Sequence, residues 1–359
     1  MKPLESTKSL AIAGRAIGRG HPPYVVAEMS GNHNGDLGRA KELIHAAKES
    51  GADAVKLQTY TADTITLDSD RREFRIEGGL WHGETLYQLY ERAHTPWAWQ
   101  EELFAYARRL GITIFSSPFD DTAVDFLQRL DAPAYKIASF ELIDPNLIAR
   151  AAATGRPLIM STGMADLGEI ADAVEAARGA GATDLILLHC VSGYPTPAGE
   201  ANLRTIPNLA DTFGLPVGLS DHTLGVAVSV AAVSLGAVFI EKHFTLRRAD
   251  GGPDAAFSLE PHELKDLVDG CRDAWSAMGR VNYDRTESER GNAQFRRSLF
   301  VVRDVAAGEM FTAANVRSIR PGYGLPPKHL NAVLGRRARR AIERGTPLDW
   351  AMVGQIESQ

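Results

Sequence analysis

Acidic, basic, hydroxyl and imidazole side chains recur through the middle of this chain, each closing a short apolar run. Glu28 comes first, then Lys56 and Gln58, Ser116 and Ser117, and Lys136, Ser139 and Glu141. Ser161 and Thr162, His189, Ser220 and His222, and Glu241 and His243 complete the series. Lys56 and Lys136 with Ser117, Ser139 and Ser161 supply cationic and hydroxyl donors. Charge-assisted hydrogen bonds are the strong ones, so this set suits a phosphate and a carboxylate on one small ligand. Taken singly, a strand-end lysine is more often the partner of a carboxylate than a catalyst. Neutral imidazole is the commonest protein ligand for a divalent metal, which makes His222 and His243 a candidate pair. With Glu28 nearby, water and a substrate carbonyl would complete the sphere, and an oxygen-rich completion favours Mn2+ or Mg2+ over Zn2+, with Co2+ a further candidate. The alternative for each histidine is a hydrogen-bonded core residue. Asp254 follows Gly251, Gly252 and Pro253, a turn-prone stretch. It either holds a substrate hydroxyl or a metal-bound water, or it caps the loop.

The elements that must carry these groups read as a repeated strand and helix unit. Short apolar runs at 24–29, 54–59, 113–117, 134–139, 157–162, 185–190, 217–222 and 238–244 alternate with amphipathic stretches of helical period. The helices are expected at about 39–50, 97–110, 121–130, 145–154, 167–180, 203–213, 225–235 and 260–277. Eight parallel units favour a closed (β/α)8 TIM barrel, α/β in class. The rival is an open doubly wound sheet, which would carry a Gly-rich nucleotide loop after an early strand, and none is present. In a barrel the active site is built on the C-terminal rim of the strands, so the groups above would converge on one mouth.

Before the barrel, residues 9–17 read as a β-hairpin that could plug its bottom. The long connection from Tyr60 to Pro96 carries Trp81, Tyr87 and Tyr90 and leads into Trp97, as a lid or binding loop would, or as a surface excursion with its own helix at about 84–92. The expected organisation is a catalytic barrel with its hairpin at 1–282, a linker at 283–296 and a small domain at 297–359. That last segment looks too short of core to stand without docking elsewhere.

The 359 residues are 44% hydrophobic, enough for a large core and a satellite domain. A formal charge of −6 gives no basic footprint for nucleic acid, and Arg336, Arg337, Arg339 and Arg340 form only a local cluster. Cys190 and Cys271 lie far apart and fit a reducing compartment, the cytoplasm by default. The first twenty residues carry Lys2, Glu5 and Lys8 and match neither a signal peptide nor a membrane anchor.

The strand ends lie in stretches with a recognisable order: AEMSGNHNGD at 27–36, KLQTY at 56–60, SSPFD at 116–120, YKIASFE at 135–141 and STGM at 161–164. LLHCVSGYPTP at 187–197, GLSDHT at 218–223, EKHFT at 241–245 and GGPD at 251–254 continue it. This order resembles the N-acetylneuraminate synthase family over about the whole chain, and RPGYG at 320–324 resembles its C-terminal antifreeze-like (SAF) domain. The segment 78–99, GGLWHGETLYQLYERAHTPWAW, is similar to the pseudaminic acid branch rather than to the neuraminate or legionaminate branches.

The resemblance implies a transferase that condenses phosphoenolpyruvate with an N-acetylated amino-sugar aldehyde, here 2,4-diacetamido-2,4,6-trideoxy-L-altrose, and releases phosphate by C–O cleavage. By it Lys56, Ser117, Lys136, Ser139 and Ser220 match phosphoenolpyruvate-binding positions, and Ser192 stands where the neuraminate branch carries asparagine. His222 and His243 match metal ligands, Glu28 matches the acid/base carboxylate, and Gln58, Glu141, Tyr194 and Asp254 match sugar-side positions. It also implies a swapped homodimer in which Arg320 reaches the partner's barrel, against the simpler arrangement of a small domain packed on its own barrel. A 6-deoxy sugar presents a methyl group, and the loop with Trp81, Tyr87 and Trp97 would favour that apolar end. The rivals are a neuraminate or legionaminate synthase, and a carbohydrate-binding protein without catalysis.

Overall fold

The computed structural model describes residues 9–355, and the chain divides into two units, Met1–Gly279 and Arg280–Gln359. The charged start at Lys2, Glu5 and Lys8 and the last four residues of the expected small domain lie outside the described residues.

The first unit opens with a hairpin, β1 (Leu10–Ile12) and β2 (Arg15–Ile17), paired antiparallel. Eight parallel strands follow: β3 (Tyr24–Glu28), β4 (Ala54–Thr59), β5 (Thr113–Pro118), β6 (Tyr135–Ile137), β7 (Leu158–Ser161), β8 (Leu185–Cys190), β9 (Val217–Asp221) and β10 (Phe239–His243). Each pairs with the next, and β10 closes the ring on β3 with Glu241 opposite Val26 and His243 opposite Glu28. The helices between strands start and stop where local chemistry dictates. Asp36, Asp120, Asp144 and Asp166 each accept a hydrogen bond from a backbone N–H of the first turn, satisfying donors that have no partner inside the helix. The helices Trp97–Leu110 and Thr205–Phe213 end on Gly111 and Gly214 in the left-handed conformation that glycine takes without a Cβ clash.

Two apolar layers fix which way each strand residue points. Val25, Val55, Leu57, Ile137, Met160, Leu187 and Leu219 pack outward with the helices, while Tyr24, Val26, Ala54, Phe115, Ala134, Ile159, Ile186, Leu188 and Phe239 pack inside the ring. Leu10, Ile12 and Ile17 of the hairpin belong to the inner layer, so the hairpin closes the bottom of the barrel. Arg15 fastens it there: its Nε donates to Asp53 Oδ1 at 2.7 Å, and Asp53 Oδ2 accepts from the Val25 N–H at 2.8 Å. Side chains alternate along a strand. Counting by twos from the inner layer therefore leads to Glu28, Lys56 and Gln58, Ser117, Lys136, Ser161, Cys190, Glu241 and His243 at the top.

The same count corrects the expectation that every strand-end group shares one mouth. His189 and Ser116 have the outward parity. His189 Nε2 lies 2.7 Å from the Ala201 carbonyl, and Ser116 bonds Thr59 at 2.6 Å, in turn tied to Gln100.

The second unit starts with a short helix at Glu287–Arg290 and a helical turn to Phe295, inside the segment expected as a linker. Thr286 and Glu289 form a reciprocal capping box that explains the start. β11 (Ser298–Val301) and β12 (Val316–Ile319) pair antiparallel, and Leu299, Val301, Phe311, Val316, Val333 and Leu348 form a core of their own. Among the described residues no helix is long and apolar enough to cross a membrane.

Candidate active site

Inside the barrel top the two lysines face two carboxylates. Lys56 Nζ lies 2.6 Å from Glu28 Oε2 and 3.5 Å from Glu241 Oε1, and Lys136 Nζ lies 3.6 Å from the same Glu241 oxygen. All four side chains are buried. Lys56 also donates to Ser117 Oγ at 3.2 Å, and Ser220 Oγ donates to Glu241 Oε1 at 3.4 Å. Buried charges must be paired to survive removal from water, and this cluster pairs itself internally. An anionic ligand would have to substitute for the carboxylates as the lysines' partner.

Burial dominates the proton equilibria here. It raises the pKa of Glu28, with Lys56 opposing, and lowers that of Lys136, with Glu241 only partly offsetting the loss. Burial also penalises charge on Lys56 and Glu241, but Glu241 and Glu28 outweigh it at Lys56, and Lys136, Lys56 and His222 outweigh it at Glu241. The Lys56 ammonium and the Glu241 carboxylate are therefore the firmly charged members. Glu141, on the turn after β6, is pushed up to about 7 by burial.

The hydroxyls form a second group. The Gly163 N–H donates to Ser139 Oγ at 3.1 Å. A Cβ at Gly163 would collide with both Ser192 Oγ and Ser139 Oγ, so glycine is what lets these two hydroxyls approach the turn after β7. Ser161 Oγ and Ser192 Oγ are buried without a hydrogen-bond partner, as donors awaiting an acceptor would be.

His222 and His243 stand at the ends of β9 and β10 with ring centroids 5.4 Å apart. His222 Nδ1 lies 2.9 Å from the Val191 carbonyl, an acceptor only, so Nδ1 carries a proton and Nε2 is the nitrogen left for an ion. Burial lowers the ring's pKa, but Cys190 and the Val191 carbonyl outweigh it and raise it, so an ion would have to displace a proton there. His243 Nδ1 is buried without a hydrogen-bond partner, 3.6 Å from Asp254 Oδ2, and burial holds its pKa well below the ordinary value, in the neutral, metal-binding form. Among the described residues no three or more His, Cys, Asp or Glu side chains are arranged to hold a metal ion. The residues fit an ion that takes two imidazoles and draws its other ligands from water and substrate.

Aromatic rings wall the same space. Tyr194 lies 4.5 Å from His222 and 5.4 Å from Phe257 by ring centroids, with Phe257 4.9 Å from His243. From the long connection only Trp81 reaches this wall, 5.9 Å from Tyr194, with its Nε1 donating to the Pro253 carbonyl at 3.0 Å. The other two expected loop aromatics are committed elsewhere. Tyr87 is partly exposed and bonded to Asp63, and Trp97 stacks on Phe126 at 4.8 Å. Gln58 Nε2 donates to Glu28 Oε1 at 3.1 Å, which brings together two of the residues expected from sequence to share the site. Arg320 is exposed just after β12, in the second unit.

Two groups escaped assignment from sequence. Glu241, noted only as a strand-end residue, is the shared counter-charge of both lysines, and Phe257 is a ring that faces His243 and Tyr194 and meets His222 edge-on. Glu241 lies two residues before His243, so once His243 is placed inside the barrel, parity alone points Glu241 inward too.

Residues 43–283 match the NeuB family and residues 296–354 match the SAF domain. The chain is 46% identical to the pseudaminic acid synthase of Helicobacter pylori over 331 residues, 91% of this chain and 96% of the relative. It is 38% identical to the N,N'-diacetyllegionaminic acid synthase of Legionella pneumophila, over 91% of this chain and 93% of the relative. The solved N-acetylneuraminic acid synthetase of Leptospira borgpetersenii superposes with a TM-score of 0.72 at 30% identity, over 82% of this chain and 98% of that one. A barrel mouth with paired imidazoles and buried lysines, a C-terminal SAF unit and these matches along nearly the full length place the chain in the NeuB family.

Proposed function

We propose that this chain is a pseudaminic acid synthase, condensing phosphoenolpyruvate and water with 2,4-diacetamido-2,4,6-trideoxy-L-altrose to give pseudaminic acid and phosphate. The observation that carries the reading is the meeting, in one buried mouth, of two lysines, two carboxylates, a hydroxyl cluster and two facing imidazoles. The branch is supported by the higher identity to the pseudaminic acid synthase than to the legionaminic acid synthase.

In this reading Lys56 and Lys136, with Ser117, Ser139, Ser161, Ser192 and Ser220, hold the phosphate and carboxylate of phosphoenolpyruvate. Gln58, Glu141, Tyr194 and Asp254 hold the open-chain sugar with its aldehyde toward the imidazoles. A divalent ion, Mn2+, Mg2+ or Co2+, held by His222 and His243 would polarise the aldehyde carbonyl as a Lewis acid. The methylene carbon of phosphoenolpyruvate forms the new bond to the aldehyde carbon as the C=O π pair moves onto the aldehyde oxygen, which takes a proton from solvent to become a hydroxyl. Water adds to the resulting cationic carbon. Glu28 takes the proton of that water, a task suited to a buried carboxylate with a raised pKa. The C–O bond to phosphate then breaks, the lysines bearing the charge that develops on the departing group.

The reading extends to a cytoplasmic, swapped homodimer in which Arg320 of one copy serves the mouth of the other. Sedimentation at the mass of a single chain would remove that part.

Phosphate release measured with and without EDTA, and with each amino-sugar in turn, tests the whole. Release with the trideoxy altrose sugar, abolished by EDTA and accompanied by the product mass, is expected. Release with N-acetylmannosamine alone would move the chain to the neuraminate branch, and release with none would leave a carbohydrate-binding protein.

A further inference from the structure

Ser30 adopts φ 45°, the left-handed region that glycine takes freely and a residue with a Cβ enters only at a cost. A side chain kept at such a position needs a reason. Ser30 is buried beside Glu28. Its hydroxyl donates to Asp254 Oδ2 and accepts from Gln58 Nε2 at 3.3 Å. Its backbone N–H donates to Glu28 Oε1 at 2.9 Å, the same oxygen that accepts from Gln58. Asp254 Oδ2 in turn faces His243 Nδ1 at 3.6 Å. A continuous set of contacts thus runs from Lys56 through Glu28, Ser30 and Gln58 to Asp254 and His243, and the Ser30 hydroxyl is the atom that joins its two halves.

We propose that Ser30 is a positioning residue for the condensation, its hydroxyl locking Asp254 and Gln58 in the orientation that receives the sugar aldehyde between Glu28 and His243. The role rests on the function proposed above. It acts at the sugar end, because none of the Ser30 contacts reaches Ser117, Ser139 or Lys136. Neutral packing of a small residue in a turn would account for burial, but not for a hydroxyl retained where glycine fits the backbone better.

Ser30→Gly separates these explanations, since it keeps the N–H to Glu28, relaxes the backbone and removes only the hydroxyl. The expected result is an unchanged or higher melting temperature, at least a tenfold fall in kcat and a severalfold rise in KM for the sugar, with KM for phosphoenolpyruvate within twofold. Ser30→Ala should reproduce the kinetic losses, because the hydroxyl and not the backbone is responsible. Wild-type kinetics in either variant, or equal rises in both KM values alongside a lost melting temperature, overturns the role. A wild-type protein that releases no phosphate with any sugar defeats the parent reading alone. A crystal structure of Ser30→Gly then reads the inference without turnover. Asp254 turned away from Gln58 is expected, and an unmoved Asp254 overturns it.

Discussion

The two ends of the barrel are built from the same strands and solve opposite problems. At the bottom, Tyr24 stacks on Phe239 at 5.4 Å, Ile12 and Ile17 fill the opening, and Arg15 is matched by Asp53, with the Tyr24 hydroxyl the one orphan polar atom among these groups. At the top, at or just beyond the strand ends, Ser161, Ser192, Glu241 and His243 each bury a polar atom with no hydrogen-bond partner. Buried orphan groups cost folding free energy, so the top is tolerated because the bottom and the outer layer supply the stability. A change at one end should therefore move activity and a change at the other should move stability.

The largest expected separation comes from Glu28→Gln. Turnover should fall about a thousandfold, the scale of a lost general base, while divalent metal still binds and the denaturation midpoint stays close to that of the parent. Phosphate-release kinetics with metal-binding calorimetry check this, and unchanged turnover would remove Glu28 from the chemistry.

The mirror image is Ile12→Ala in the plug. Loss of a fully buried isoleucine costs about 2–5 kcal/mol of stability, read from urea denaturation, with kcat and both KM values unaltered below the transition. A kinetic defect at low temperature would mean that the two ends are not independent.

The smallest effect sharpens the comparison through pH. Burial holds the Glu141 carboxyl at about 7, so the folded chain keeps a proton that the unfolded chain has released. Stability from this group is present below the ordinary carboxylate range and is lost as pH rises toward 7. Glu141→Gln should thus stabilise the protein at pH 8 by at most about 3 kcal/mol and much less at pH 5. Equal gains at both values would refute the assignment.

How far the sequence foretells this arrangement follows from the same two faces. The strands and most helices are legible because apolar runs of strand length alternate with helical periodicity, and Asp caps mark four of the starts. The direction of a side chain within a strand is harder to read. In a parallel barrel both faces of each strand are buried, so apolar residues occupy odd and even positions alike and the period of two is hidden. His189 in Leu185–Cys190 looks like a rim residue for that reason, although its neighbours Leu188 and Cys190 are the ones that point inward. Ser30 is hidden differently. Beside Gly31 it reads as a turn residue, and its partner Asp254 lies more than two hundred positions away. Trp81 could be told from Tyr87 and Trp97 only through Pro253, a contact that no local pattern announces.

Behind the two imidazoles, on the outward face, Lys242 Nζ meets Asp221 Oδ2 at 2.7 Å and the Thr223 carbonyl at 2.6 Å, and Ser229 donates to the same aspartate oxygen at 2.5 Å. Asp221 precedes His222 and Lys242 precedes His243, so this buried pair rivets together the two strand ends that carry the rings. Spreading them would expose uncompensated charge in a dry setting, at a cost of several kcal/mol. The gap between the rings is therefore a gauge of fixed width, to which an occupant must conform.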